Sequence, residues 1–324
     1  MTSTSDSRTN YDDLYRIYTK CDETVARFRV KGGIYRHVYS LPFRWTKASC
    51  QQLILRRAEK QNKFRNLKDT GHPGLIISLT SFPARIATLH RVIKSLLNQT
   101  YCPEKIVIWL SEDEFPLAME SMPKQLTDFI AHGVEIQFVT GNLRSHKKYF
   151  YAFQRYPEET VITVDDDLVY PTDTIERLIS MHQAYPQSVC ANVTRTLSRD
   201  ANGFRPYTKW RKNVNMPFSA SKQLVAVGYG GVLYPPKWYD KTLFDEDLIR
   251  SKCLFADDLW LKAHQLLKNV SVASGKCYFP QPTVIPHSQK VSLQKKNNGR
   301  LNMNDIQWEN LRSALDLDSI YNAL

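Results

Sequence analysis

One stretch, residues 161–171, limits what this chain can fold into more than any other. It reads Val-Ile-Thr-Val-Asp-Asp-Asp-Leu-Val-Tyr-Pro, so that a run of β-prone residues leads directly into three aspartates. A continuous run of this kind is typical of a strand that is buried on both faces of a sheet. Open α/β sheets bind their ligands beyond the carboxyl ends of the strands, which is where these aspartates fall. The stretch therefore predicts a ligand site at one edge of an α/β sheet.

The three aspartates are candidate metal ligands. Side chains alternate along an extended chain, so we expect Asp165 and Asp167 to point the same way and Asp166 to point opposite. Like charges that are held close together in a dry site repel each other unless a cation lies between them. A hard divalent ion with carboxylate ligands meets this need and keeps positions open for substrate phosphates. The alternative is a solvated turn at the strand end, because an isolated Asp-x-Asp pattern is common.

Alternating strands and helices are predicted from residue 75 onward. Short apolar runs predict strands at 75–79, 106–110, 135–139 and 161–164, and helical spacing predicts helices at 86–97 and 146–156. Strands and helices that alternate with short links indicate a mostly parallel sheet covered by helices on both faces. The second half is less regular, and residues 257–268 predict a further helix there.

Residues 1–70 differ in composition from the rest of the chain. They carry 15 Lys and Arg against 7 Asp and Glu, mixed with aromatic residues, and the Gly-His-Pro-Gly stretch at 71–74 ends the pattern. We therefore predict a basic, helical N-terminal extension over 1–70, a catalytic domain over 71–305 and a C-terminal helix over 306–324. The extension suits an acidic membrane face, and it equally suits a helical layer packed on the main domain.

The compartment follows from what the chain contains. No window approaches the roughly 18 apolar residues of a membrane span, and the polar start predicts no secretory signal. Six scattered cysteines without a Cys-x-x-Cys pair predict reduced thiols and no zinc site. We expect a cytoplasmic protein, with peripheral contact to the inner face of the plasma membrane through the basic extension.

The loop after the first strand is a candidate nucleotide site. Thr80 and Ser81 offer hydroxyls, and the first turn of the following helix offers free amides and Arg85. The loop has neither Gly-x-Gly-x-x-Gly nor a P-loop sequence, so a dinucleotide fold and a P-loop NTPase are not supported. Arg85 can bind a phosphate bidentately, or it is a surface residue of the helix. Of the neighbouring Lys147 and Lys148, we expect one to touch a pyrophosphate and the other to be solvated.

Two aspartates and a histidine in the second half complete the candidate site. Asp257 and Asp258 open a helix, where acidic residues are favoured in any case, but a carboxylate beside a sugar hydroxyl can also act as a general base. Gly230 and Gly231 allow close backbone approach and can shape an acceptor pocket. His287 follows a predicted strand and precedes a basic loop, so it is either a third metal ligand or an ordinary packed or surface residue.

As a set, these motifs resemble those of the nucleotide-sugar glycosyltransferases of the GT-A fold. The resemblance is carried by Leu-Thr-Ser at 79–81 with Arg85, Val-Asp-Asp-Asp at 164–167, Gly-Tyr-Gly-Gly at 228–231 and Ala-Asp-Asp-Leu-Trp at 256–260. Order and spacing are similar to bacterial enzymes that build capsule or lipopolysaccharide chains, and residues 151–186 also resemble the exostosin-like N-acetylhexosaminyltransferases. The resemblance covers roughly residues 74–300, and residues 1–70 lie outside it.

The resemblance implies an activity and a role for each residue. It implies a hexosyl- or N-acetylhexosaminyltransferase that uses Mn²⁺ or Mg²⁺, a nucleotide-sugar donor, which we expect to be a UDP-sugar, and a glycan or lipid-linked acceptor. The donor would be bound by Thr80, Ser81, Arg85, Lys147, Asp165 and Asp166, the metal by Asp167, Asp165 and His287, and the acceptor by Gly230, Gly231, Asp257 and Trp260, with Asp258 as the catalytic carboxylate. Inverting relatives often carry Glu-Asp where this chain has Asp-Asp, and exostosin-like enzymes retain configuration, so both stereochemical outcomes stay open.

Two other functions are compatible with the same residues. A nucleotidyltransferase or two-metal phosphoryl-transfer enzyme would use the aspartate triplet and a further carboxylate to hold two ions about 4 Å apart. A nucleic-acid binder would use the basic extension, but it leaves both acidic clusters without a purpose, so no nucleic acid is expected as a partner.

Overall fold

The structure is a computed structural model that describes residues 4–31, 33–34, 38–62, 64–200, 203–212, 219–275, 280–286, 288 and 302–323. Its helices are α1 (Thr4–Lys31), α2 (Leu41–Lys60), α3 (Leu67–Thr70), α4 (Pro83–Leu97), α5 (Lys124–Thr127), α6 (Lys147–Arg155), α7 (Thr174–Ala184), α8 (Glu246–Leu248), α9 (Asp257–Leu267), α10 (Met303–Ala314) and α11 (Leu317–Ala323). Among the helices so described, none is long and apolar enough to cross a membrane.

Within the described residues, the strands form one large sheet and three small ones. They are β1 (His72–Thr80), β2 (Pro103–Ser111), β3 (Val134–Val139), β4 (Thr160–Thr163), β5 (Leu168–Val169), β6 (Val189–Ala191), β7 (Thr194–Thr196), β8 (Arg199–Asp200), β9 (Gly203–Phe204), β10 (Arg211–Lys212), β11 (Ser219–Ser221), β12 (Leu224–Ala226), β13 (Val232–Tyr234), β14 (Val272–Ser274) and β15 (Thr283–Val284). The large sheet has eight strands in the order β11-β14-β6-β13-β4-β1-β2-β3, and β10, β7 and β12 form a separate three-stranded sheet.

The large sheet is mostly parallel, which confirms the predicted fold class. The four strands predicted from the first half are β1 to β4, and β1 pairs in parallel with β2 and β4, as β2 does with β3. Strand β13 is the exception in the middle of the sheet, because it runs antiparallel to both β4 and β6. It begins where β4 ends, with Val232 opposite Thr163. The turn before β13 therefore lies at the same sheet edge as the aspartates.

Apolar side chains cover both faces of the central strands. Successive residues of β4 alternate between two cores, with Val161 in one and Ile162 in the other, and both are fully buried. The core around Ile162 includes residues of α1, α2, α4 and α7, and the core around Val161 includes residues of α6, α9 and α10. A strand buried on both faces has no free surface, so only its carboxyl end can present polar groups to a ligand.

The N-terminal helices pack close behind the aspartate loop. The Tyr15 hydroxyl donates to the carbonyl oxygens of Val169 and Tyr170 at 3.3 and 3.1 Å. The Gln51 amide donates to the carbonyl oxygen of Val284 at 2.7 Å, in the strand that pairs with β5. Helix α3 ends at Thr70 and β1 begins at His72, but the division of the chain into three parts stays a prediction. The five cysteines within the described residues are free thiols, and Cys277 lies outside them.

Candidate active site

The aspartate triplet lies in a turn and not on the strand itself. Strand β4 ends at Thr163, and Asp166 is already part of the turn that leads into β5. The backbone N–H of Asp165 donates to the Tyr170 hydroxyl at 2.8 Å, which closes the turn. The predicted alternation is therefore wrong, because the chain is no longer extended there. Asp166 and Asp167 both face Arg85, while Asp165 faces away toward Lys148.

Arg85 joins the first loop to the aspartate turn. Its guanidinium binds Asp166 through Nη1 and Asp167 through Nη2, the second contact at 2.9 Å. The Ser81 hydroxyl donates to the other Asp166 oxygen at 2.7 Å, and Arg85 Nη2 also donates to the carbonyl oxygen of Ser288 at 3.2 Å. Ser81, Arg85, Asp166 and Asp167 are all buried. Arg85 is thus not the surface residue that the sequence left possible.

One guanidinium does not fully compensate these two carboxylates. Burial raises the pKa of Asp166, although Arg85 and the Ser81 hydroxyl act in the opposite direction. Burial also raises the pKa of Asp167 to about 7, with Arg85 opposing the shift and the charges of Asp165 and Asp166 adding to it. A carboxyl group with a pKa near 7 gains from a further cation, since a second positive charge would favour its ionised form.

Lys148 is the second cation of the site. Its ammonium lies 2.8 Å from Asp165 Oδ1 and 3.0 Å from Asp257 Oδ2, and its side chain is only 5% exposed. Burial alone would lower the pKa of Lys148, but the charges of Asp165, Asp257 and Asp258 outweigh it and raise that pKa well above its usual value. Lys148 therefore stays charged and ties the aspartate turn to the start of α9.

Lys147, the lysine that the sequence assigned to the donor, points elsewhere. Its ammonium contacts Glu114 Oε2 and Asn142 Oδ1, both at 3.2 Å. Both lysines are buried, so the expectation that one of the pair is solvated is wrong. Successive residues of a helix point about 100° apart, which is why only one of two neighbours can face the aspartates. Thr80 lies at the end of β1 and donates its hydroxyl to the carbonyl oxygen of Trp109 at 2.7 Å.

Asp258 lies beside this cation at the first turn of α9. Both of its carboxylate oxygens are 3.2 Å from the backbone nitrogen of Gly228, which donates to them. A Cβ added to Gly228 would lie 3.1 Å from Lys148 Nζ, 3.2 Å from Asp258 Oδ1 and 3.6 Å from Asp165 Oδ1. Three charged groups from separate parts of the chain thus converge on this one glycine.

The pKa values of the two aspartates of α9 are shifted in opposite directions, and Lys148 forms an ion pair with Asp257. Burial would raise the pKa of Asp257, but Lys148 and His146 outweigh it, so that pKa lies below its usual value. Burial and the charge of Asp257 raise the pKa of Asp258 to about 8, while Lys148 and the Gly228 N–H act in the opposite direction. Two carboxyl groups with pKa values pushed apart are a common basis for acid–base roles at one site.

The other predicted acceptor residues serve the fold in this structure. An added Cβ on Gly230 would meet Val193 Cγ2 at 2.5 Å, and one on Gly231, where φ is +83°, would face Leu178 and Thr174. These glycines permit close packing inside the protein, and it is Gly228 that adjoins Asp258. Trp260 is fully buried and its indole N–H donates to the carbonyl oxygen of Leu243 at 3.0 Å, so it has no surface to offer an acceptor.

The residues at the turn have the donor atoms that a divalent metal needs, but they do not form a complete site. The described residues hold no group of three His, Cys, Asp or Glu side chains placed to bind a metal ion. His287, the predicted third ligand, lies outside the described residues. Mg²⁺ is often held by one or two carboxylates with phosphates and water completing its shell, and carboxylates suit Mn²⁺ as well. Asp167, with its raised pKa, fits that pattern, whereas Asp165 would first have to turn from Lys148 toward the same ion.

Sequence reasoning missed Lys148 and Gly228 as site residues. A Lys-Lys pair on a predicted helix marks two candidates without saying which faces the sheet edge. Similarly, three of the four residues at 228–231 are glycines, and only the pairing of the strands on either side decides which one meets Asp258. In both cases the sequence showed the residue types, but it did not show which residue of each group faces the site.

Comparison with known proteins gives the chain a family. The model for glycosyl transferase family 2 matches residues 81–246, which is 166 of the 324 residues. No curated protein matches the chain. Among solved structures, the chain is similar to S. aureus TarS 1–349 in complex with UDP, at 9% sequence identity and a TM-score of 0.38. The similarity covers 62% of this chain and 57% of that one, so the chain spans less than two thirds of its length.

Proposed function

Because the chain belongs to glycosyl transferase family 2, we propose that it transfers a sugar from a nucleotide-diphosphate donor to a glycan or lipid-linked acceptor in a metal-dependent reaction. Its mostly parallel sheet with flanking helices is that of the GT-A fold. One observation supports the proposal most strongly: the aspartate turn and the Asp257–Asp258 pair, far apart in sequence, meet around the single ammonium of Lys148. The aspartate turn would hold the donor, and Asp258 would face the acceptor.

Asp167 and Asp165 would hold the Mn²⁺ or Mg²⁺, which when bound supplies positive charge against the donor's diphosphate. Arg85 and Lys148 are the cations that the chain itself places beside this turn. They stabilise the negative charge that develops on the departing nucleoside diphosphate as the anomeric C–O bond breaks. Thr80 ends β1 and Ser81 follows it at the same edge, and both would position the nucleotide.

Asp258 is the proposed acceptor-side carboxylate. In an inverting reaction it accepts the proton of the acceptor hydroxyl while that oxygen attacks the anomeric carbon. In a retaining reaction it would instead orient or stabilise the sugar cation. A carboxyl group whose pKa is raised to about 8 is a stronger base than an ordinary aspartate, and general bases work best with a pKa near the operating pH.

The finer assignments also belong to this proposal. We place the enzyme in surface polysaccharide synthesis of the capsule or lipopolysaccharide type, as a hexosyl- or N-acetylhexosaminyltransferase with a UDP-sugar donor. The basic extension would be residues 1–70, the catalytic domain residues 71–305 and the C-terminal helix residues 306–324.

A panel of UDP-, GDP-, CMP- and dTDP-sugars tests the activity. We expect hydrolysis of one donor class that requires Mn²⁺ or Mg²⁺, stops with chelator and releases a free nucleoside diphosphate. Release of pyrophosphate would identify a nucleotidyltransferase instead. Full hydrolysis in chelator, or no hydrolysis of any donor, would contradict the proposal. Asp22→Asn is a suitable control for the site variants, because Asp22 pairs with Lys47 in the N-terminal helices and not at the aspartate turn.

The N-terminal extension would bring the enzyme to the inner face of an anionic membrane. Helix α2 exposes Trp45 (72%), Leu53 (49%) and Phe43 (37%), next to the exposed cations Arg44 and Arg56. Aromatic and basic side chains on one helix suit the interface of an anionic bilayer. We expect sedimentation with phosphatidylserine vesicles but not with phosphatidylcholine vesicles, and less of it for Trp45→Ala. If Trp45→Ala sedimented as much as the wild type, α2 would not be the membrane-binding helix.

A further inference from the structure

An arginine on the three-stranded sheet stacks on the ring of a tyrosine. Arg195 lies in β7, opposite Val225 of β12, and its guanidinium carbon is 4.6 Å from the centre of the Tyr207 ring. None of the ion pairs among the described residues involves Arg195, whereas nearby Arg199 and Arg205 pair with Asp318 and Asp200. Arg195 is partly buried, so its charge is held at a defined place.

The partner ring is held firmly. Tyr207 begins a 3₁₀ turn, and the next residue, Thr208, is tied to the Asp305 carboxylate through its N–H at 2.9 Å and its hydroxyl at 3.0 Å. The Tyr207 ring also lies 5.1 Å from the ring of Trp210, which in turn packs edge-on against Trp308 at 4.9 Å. A guanidinium stacked on such a platform loses little freedom when it binds a ligand.

This pair lies on the acceptor side of the proposed reaction. Strand β12, to which β7 pairs, leads directly into Gly228, whose N–H donates to Asp258. Burial is the largest cause that raises the pKa of Tyr207, and the negative charge of Asp258 adds to it while Arg195 opposes it. The charge of the proposed catalytic carboxylate therefore affects the ionisation of the Tyr207 hydroxyl.

We propose that Arg195 and Tyr207 form an acceptor subsite that binds a negatively charged group, a phosphate or a carboxylate, of the acceptor glycan. The inference rests on the proposed glycosyltransferase function and narrows its acceptor to anionic glycans. The planar guanidinium matches the oxygens of either group bidentately, and the Tyr207 ring against which it stacks keeps it in place. Anchored there, the acceptor presents a neighbouring hydroxyl to Asp258.

A glycan array without donor tests the subsite separately from catalysis. The array carries neutral oligosaccharides, the same backbones with uronate carboxylates, and the same backbones with phosphates. We expect the wild type to be retained on one or both anionic sets at least about tenfold better than on the neutral set, with a preference that falls as salt rises. The two anionic sets show which of the two groups the subsite recognises.

Three variants test whether Arg195 causes the preference for anionic glycans. Arg195→Gln should lose the preference for anionic glycans, and Arg195→Lys should keep only part of it, because an ammonium cannot bind bidentately. Arg205→Gln removes the same charge from an exposed position on the same part of the chain (48% exposed) and should match the wild type. Thermal unfolding of each variant shows whether it is folded.

Two results would overturn the inference. One is equal retention of the wild type on neutral and anionic glycans, which needs no variant. The other is a folded Arg195→Gln variant that keeps the full preference for anionic glycans. That result would mean that other cations of the protein cause the preference. Donor hydrolysis by the wild type, measured in parallel, reports on the proposed function alone, so that its failure is distinguishable from failure of the subsite.

Discussion

Replacing Lys148 by methionine tests whether one buried cation couples the two acidic clusters. The change keeps an unbranched side chain that is one atom shorter, and it removes the charge that lies 2.8 Å from Asp165 and 3.0 Å from Asp257. Removing one partner of a buried ion pair usually costs about 3–5 kcal/mol. Asp165 is 31% exposed and can regain water, so we expect the free energy of unfolding to fall by about 3 kcal/mol, at the low end of that range.

The diagnostic effect is on the pH dependence of transfer. Lys148 lowers the pKa of Asp258, which burial and Asp257 raise to about 8. Without the cation this pKa rises further, by about one unit, so a higher pH is needed to form the carboxylate. The acidic limb of the pH profile of kcat/KM should therefore move to higher pH in Lys148→Met. In Lys148→Arg, which keeps the charge, it should move little.

Lys147→Met is the matched control, because Lys147 is a neighbouring buried lysine of α6 that contacts Glu114 at 3.2 Å and not the aspartates. It should destabilise the protein by a similar amount in urea unfolding without moving the acidic limb. The coupling through Lys148 would be refuted if the acidic limb of Lys148→Met lay at the same pH as that of the wild type. It would also be refuted if the limb moved equally in Lys148→Met and Lys147→Met.

Three further substitutions address other parts of the site. Asp258→Asn should abolish transfer yet raise the free energy of unfolding by about 1–3 kcal/mol at pH 8. The gain should shrink toward pH 5, because an aspartate with a folded-state pKa of about 8 destabilises the fold increasingly from about pH 4, where it ionises in the unfolded chain, up to that pKa; a gain that grows toward pH 5 would contradict this. Asp167→Asn should lose metal-dependent binding of UDP in calorimetry, and undiminished binding would exclude Asp167 as a ligand. Gly230→Ala should lower stability by about 1–3 kcal/mol in thermal unfolding, since the new Cβ meets Val193 at 2.5 Å; unchanged stability would show that the turn yields.

The sheet could be predicted from sequence because its signals are local. The apolar runs of β1, β2 and β3 and the helical spacing of α4 and α9 each lie within one element, and they alone fix a mostly parallel arrangement. The place of β13 could not be predicted in the same way. It is only three residues long, and it lies between β4 and β6 through pairings with residues far away in sequence.

The chemical groups of the site were predictable, but their orientation was not. Asp165 was expected on the same side as Asp167 because the strand was taken to run through the triplet. In the structure β4 ends earlier, at Thr163, and a hydrogen bond from the Asp165 N–H to the Tyr170 hydroxyl turns the chain. Such a bond depends on where the tyrosine packs, and no short-range pattern records that. The stacking of Arg195 on Tyr207 is equally invisible in the sequence.

The balance of charge at the site ties these findings together. Five carboxylates, those of residues 165–167, 257 and 258, face only two cations, Arg85 and Lys148, among the described contacts. Burial is the main cause of the raised pKa values of Asp166, Asp167 and Asp258, and the charges of the neighbouring carboxylates add to it. The chain as a whole carries a net charge of +12, so it attracts anions from a distance while its reaction centre lacks positive charge. An anionic donor can enter such a centre when it brings its own divalent ion. An anionic acceptor has no such ion, and a separate cation such as Arg195 would hold its charge away from Asp258.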